Sequence, residues 1–377
     1  MKKHLQLATL LVATGLAAVA QTGNSRLYRS SGNEWIQEIS GTLPAARVVR
    51  VKSSAGSIKV QGAQQNNIRY VIREHVRANS EEAARREISR MRFTTLSSGE
   101  AVLLKADCEG YNRGSIDFDV HVPRQTVALK LETNGGQVSA ENLAGKLDAN
   151  TGGGNIHLDK IEGSISVASA GGVIDIGDVG SDVAVSTGGG NIHIGSAAGR
   201  VMASSGGGDL RVGSGKLMTL ETGGGSIKVN KCDGQIKAET GGGAIDLSEI
   251  GGPAVIESGG GGIKVAGIRN GLRAETGSGP IVATLTRGTN FSDSRLETSV
   301  GDIIVYVPDG LGVTIRAAVE VARGDGIRSE FPELKITRSG NFGPREVFAE
   351  GSLNGGGPVL HVHTATGTIQ LLRKKAQ

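Results

Sequence analysis

Seven histidines and two cysteines are the side chains of this 377-residue chain best suited to hold a metal or to act as a nucleophile. His157, Asp175 and His193 are the most suggestive, because they recur at a step of 18 residues. If the chain coils at that period, the three fall on adjacent strands about 4.8 Å apart, and two imidazoles with one carboxylate can hold zinc. The same column continues through Ser139, Arg211, Lys228, Asp246 and Lys264. A column of mixed charge reads as a solvated face with weak cross-strand pairs, and that is the expectation here. Asp117-x-Asp119-x-His121 and His361-x-His363 each share one face of a strand and carry no stronger signal.

The remaining catalytic signatures fail on residue type. The chain has no H-E-x-x-H and no G-x-S-x-G. Around Gly215-Lys216, Leu210 stands where a phosphate loop needs its first glycine and Leu217 where it needs Ser or Thr. Calcium-binding nonapeptide coils require G-G-x-G-x-D, whereas the units here read GGGNIHLD or GGGSIKVN, with Ile in place of the second-step Gly. Arg323-Gly324-Asp325 matches a cell-attachment tripeptide, a match expected by chance in a chain this rich in Gly and charge. No catalytic, metal or cofactor residues are therefore assigned.

What must position any site is a repeat. Glycine is 60 of 377 residues, and its clusters begin at Gly135, Gly152, Gly171, Gly188, Gly206, Gly223, Gly241, Gly259 and Gly277, steps of 17 to 19. Such a period marks a stacked-repeat fold. One unit reads Thr222-GGG-SIKVNKCDGQIKAE-Thr240, two short strands of period two separated by an Asp-Gly turn and a glycine corner. Glycine suits tight corners because it adopts φ > 0 freely, so left-handed backbone is expected there. Superposing the units gives columns that are apolar throughout. The first runs Val138, Ile156, Ile174, Ile192, Leu210, Ile227, Ile245, Ile263, Ile281. The second runs Ala140, Leu158, Ile176, Ile194, Val212, Val229, Leu247, Val265, Ala283. A third, at the corner, contains Cys232 among Leu143, Ile161, Val179, Ala197, Ile250 and Ile268, so this thiol is expected buried and inert rather than bridged to Cys108. The fold predicted is an all-β, single-chain parallel β-solenoid with about 18 residues per coil. One coil cannot recover the entropy of ordering its own residues, so only a capped stack stands.

The flanks divide as follows. Residues 1–20 carry Lys2 and Lys3, an apolar stretch and Ala18-Val19-Ala20, the pattern of a cleaved secretory signal. Residues 21–45 are polar and expected to be mobile. Residues 46–130 hold N-terminal strands and a helix over 80–91, with Ser80 as cap, placed to cover the first open edge. Regular coils fill 131–285, and 286–377 supply C-terminal coils and a closing insertion. The chain is expected to be exported, to the periplasm or to the extracellular medium or cell surface, with no transmembrane anchor after cleavage. A net charge of +4 and 3% aromatics speak against nucleic-acid wrapping or a carbohydrate-stacking platform.

Recurrent [TS]-x-G-x-I-x-V units, the Val122-Pro123 and Val307-Pro308 strand ends and the signal-like start resemble the bacterial putative-adhesin family of β-strand-repeat envelope domains over residues 46–372. The resemblance implies an envelope adhesin or scaffold with no catalytic residues to carry over. The first functional reading is thus an exported, non-enzymatic β-solenoid whose partner is an envelope or surface polymer or protein. The alternatives are a polysaccharide-acting β-helix enzyme, disfavoured by the short coil and few aromatics, and a rod that self-associates end to end.

Overall fold

The computed structural model describes residues 24–108, 114–287, 291–322, 324–339 and 345–374. The signal-like segment lies outside them. Two sheets of 17 strands each face one another across a single core. The alternation of apolar and polar residues in each unit produces one strand per sheet per coil. Ile156–Ile161 lies in sheet one, Ile165–Ser169 in sheet two, and Ile174–Val179 returns to sheet one. Successive coils pair in parallel and in register, Ile156 beside Ile174 and Ile174 beside Ile192. The fold is the parallel β-solenoid expected, and every member of the first two columns is at most 2% exposed. Cys232 sits in the third column at 1% exposure, and both Cys108 and Cys232 are free and buried. Burial pushes both thiols up from their ordinary range.

The glycine corners work differently from the expectation. None of the three-glycine runs in the regular coils adopts positive φ. The third glycine of each run is required by contact instead. A Cβ on Gly190 would overlap the Gly172 carbonyl, and one on Gly208 would overlap that of Gly190, whereas Gly189 and Gly207 have open space. A hydroxyl column accompanies this spine. Thr187 Oγ1 donates to the Gly172 carbonyl at 3.0 Å and accepts from Gly190 N at 3.3 Å. Ser205, Thr240 and Ser258 repeat the pattern at 2.8–3.1 Å. These hydroxyls are buried, and each uses both its donor and an acceptor position to satisfy corner amides that would otherwise be orphaned.

The ends are staggered. Beyond the first coil, Val48–Ser53 and Ile58–Ala63, sheet one adds four strands: Ser115–Pro123, Asn67–Arg77, Glu34–Pro44 and Asn24–Ser31. Among the described residues sheet two adds only Ala101–Asp107 and Arg92–Ser98. The helix Glu81–Ile88 packs on the overhanging strands with Ala84 and Ile88 inward, and the Ser80 hydroxyl accepts from Ala83 N at 3.3 Å. It is shorter than the 80–91 expected. Residues 24–44 are a correction: they form an antiparallel hairpin about Gly32, not a mobile segment. At the other end the overhang is reversed. Sheet two runs on through Val359–Thr366, Val313–Ala322, Arg345–Leu353 and Lys335–Ser339, while sheet one adds Ile369–Lys374 and Ile327–Ser329. Phe331 and Leu334 are buried there, so both ends of the core are plugged.

Candidate functional site

The structure brings His157, Asp175 and His193 together as the spacing predicts. Nδ1 of His157 lies 3.0 Å from Asp175 Oδ2, and Nδ1 of His193 lies 2.9 Å from Asp175 Oδ1. The hydrogen bond from His193, with that from His157, outweighs desolvation and lowers the Asp175 carboxyl below its usual range. The trio spends both carboxylate oxygens on imidazole N–H groups and is about half exposed. It is a hydrogen-bonded surface cluster. Among the described residues no group of three or more His, Cys, Asp or Glu is arranged to hold a metal ion.

The weaker candidates separate. His361 and His363 share the outer face of one strand, but His363 Nε2 pairs with Glu320 at 3.1 Å while His361 stands in register between Arg295 and Arg316. Asp119 faces His121 Nε2 at 3.6 Å. Gly215 is a buried strand residue in register with Cys232, so Gly215-Lys216 forms no phosphate-binding turn. Arg323 lies outside the described residues, and Asp325 of the same tripeptide contacts Arg328 and Arg338 of its own chain at 4.0 and 3.5 Å.

Two arrangements were not read from the sequence. The first is on the outer face of sheet two, where Glu221, Glu239, Glu257, Glu275 and Glu297 stand in register on five adjacent strands, followed by His363. They line a groove of about 1010 Å³. Lys237, Arg273 and Arg295 pair with Glu239, Glu275 and Glu297 at 2.5, 2.8 and 2.8 Å. Among the described residues Glu221 and Glu257 have no ion-pair partner within 4.0 Å. Phe348, 43% exposed, lies beyond His363 at the end of this face. The recurrence of Glu one position before the hydroxyl column was the available signal.

The second lies in the N-terminal extension of sheet one. His75 has Glu34 Oε1 3.4 Å from Nδ1 and Asp117 Oδ2 3.2 Å from Nε2. Asp117 also accepts from Ser57 N at 2.7 Å and Ser57 Oγ at 2.9 Å. Burial pushes the Asp117 carboxyl up, but His75 and Ser57 outweigh it and hold it low. On the opposite face of the same strand, Glu74 is 3% exposed, and burial pushes its carboxyl up to about 7.

No family model matches the chain, and no curated protein matches it either. Among solved structures, the chain is similar to a putative cell adhesion protein from Clostridium sporogenes at 8% identity, over 89% of this chain and 100% of that one, with a TM-score of 0.19. It is also similar to a putative adhesin from Bacteroides fragilis at 10% identity, over 89% and 97%, with a TM-score of 0.27. At such scores neither carries an argument about this chain. Among the described residues no helix is long and apolar enough to cross a membrane.

Proposed function

We propose that this protein is a non-enzymatic rod of the bacterial envelope that serves as an adhesin or scaffold. The observation that carries the reading is the outer face of sheet two, where the register repeats the same side chain on strand after strand along an open groove. A reaction centre gathers different groups around one point. A face that repeats one group at strand spacing instead offers a series of weak contacts to an extended partner, which add as linked sites do. The plugged ends favour a discrete rod over one that polymerises.

The test is co-sedimentation of the full chain with purified envelope polymers, alongside a screen of acidic glycans for released product. Saturable retention without product release is expected, and it should weaken when Glu239, Glu257 and Glu275 are changed together to Gln. Turnover of a glycan, with no retention on any polymer or surface protein preparation, would overturn the reading.

A further inference from the structure

Among the described strands, the N-terminal hairpin, residues 24–44, pairs with the rest of sheet one through Asn67–Arg77, which in turn pairs with Ser115–Pro123. His75 spans all three strands on the outer face. Its Nδ1 faces Glu34 at the start of the hairpin's second strand, and its Nε2 faces Asp117, which Ser57 fastens to the corner of the first coil. A neutral imidazole carries one N–H, so one of the two carboxylates would then meet a nitrogen lone pair. Only the imidazolium offers a proton to both. Nε2 is buried and too poorly aligned with Asp117 for a formed hydrogen bond, so that side of the link is an ion pair and depends on the charge.

We propose that His75 is a pH-operated clamp: its imidazolium ties Glu34 to Asp117 and fastens the N-terminal hairpin to the first coil, and deprotonation loosens the hairpin. Among the described residues the charged neighbours in register with this cluster are two arginines. Arg77 is in register with Glu34, and Arg73 is in register with Asp117 but pairs with Glu38 at 3.1 Å. On the other face of the strand Glu74 acts on the Cys108 thiol, as Asp107 also does, and the helix packs on the same strand with Ala84 and Ile88 buried.

The contact with Asp117 raises His75 above its ordinary value, against the opposing effect of burial. A raised histidine contributes stability that is complete below about 6.5 and is lost as pH rises through its folded value. Glu74 acts with the same sign in a lower window, because ionising it inside the core becomes a cost as pH rises from about 4.5 to about 7. The experiment must separate the two.

Trp35 is the only tryptophan, and its Nε1 donates to the Ala78 carbonyl at 3.1 Å beside the clamp, so its fluorescence reports this segment. In the full-length Glu74→Gln protein at low denaturant, the opening equilibrium read by Trp35 should rise about 3- to 10-fold from pH 6 to pH 9, as partly screened ion pairs allow. Adding His75→Gln should leave it open and flat with pH. Glu34→Gln, which lies outside the core, should reduce the pH dependence without unfolding the chain. A pH dependence that survives His75→Gln, or that Glu34→Gln leaves untouched, would overturn the proposal, as would none at all with His75 present.

Discussion

The shaft and the N-terminal extension each hold a cluster of imidazole and carboxylate, and the two are inverses. On the shaft, one carboxylate, Asp175, lies between two histidines. In the extension, one histidine, His75, lies between two carboxylates. The distances are similar, 2.9–3.0 Å against 3.2–3.4 Å. The surroundings are not: the side chains of His157 and His193 are 44% and 58% exposed, and that of His75 is 23%. Water and salt screen the first cluster, so it decorates a scaffold that stands without it. The second joins strands that are distant in sequence and lies beside a buried carboxyl, so its protonation bears on whether the extension stays attached. Parallel coils repeat their support at every step, whereas the extension is held by antiparallel pairings that do not recur.

The comparison can be sharpened from its largest expected effect downward. Ile192→Ala, in the middle of the shaft, removes a side chain 1% exposed and should cost about 2–5 kcal/mol in denaturant unfolding. Glu74→Gln should stabilise the extension above pH 7 by about 3 kcal/mol, the free-energy equivalent of moving the carboxyl from 4.5 to about 7, and this gain should vanish below about pH 4.5. Amide exchange of strand Asn67–Arg77 at pH 5 and pH 8, corrected for intrinsic rates, would show it. Thr240→Val strips one rung of the hydroxyl column, leaves the Gly243 amide and Gly225 carbonyl without that partner, and should cost about 1–3 kcal/mol. Asp175→Asn should change thermal stability least, by under about 1 kcal/mol, and the change should fade in high salt. A loss from Asp175→Asn as large as that from Asp117→Asn would break the contrast between the two clusters.

The shaft was legible because its first two inward columns are apolar without exception. Ile156, Ile174 and Ile192 recur at the coil period and give the parallel register directly. Cys232 was placed in its slot by the same arithmetic. The corner glycines were legible as corners, but their cause was not, since the approach of Gly190 to the Gly172 carbonyl depends on stacking distance and not on local backbone preference. Thr187 and Thr240 fall on the inward side of a strand, where a polar residue looks like a break in the pattern until its backbone partners are known. The hairpin was missed although Gly32-Asn33 is a two-residue turn signal, because its strands mix polar and apolar residues on both faces. His75 could not be found by any period. Glu34, His75 and Asp117 belong to antiparallel pairings outside the repeat, and nothing in their spacing announces the register.

The claim beneath all of this is that coils stack so closely along the glycine spine that only some glycines of each corner are indispensable. Thermal unfolding of Gly190→Ala beside Gly189→Ala tests it most directly. Gly190→Ala sets a methyl group on the Gly172 carbonyl and should lower stability by about 3 kcal/mol or more, while Gly189→Ala meets open space and should leave stability within about 1 kcal/mol of the parent. Equal losses from the two substitutions would contradict the stacked-coil account.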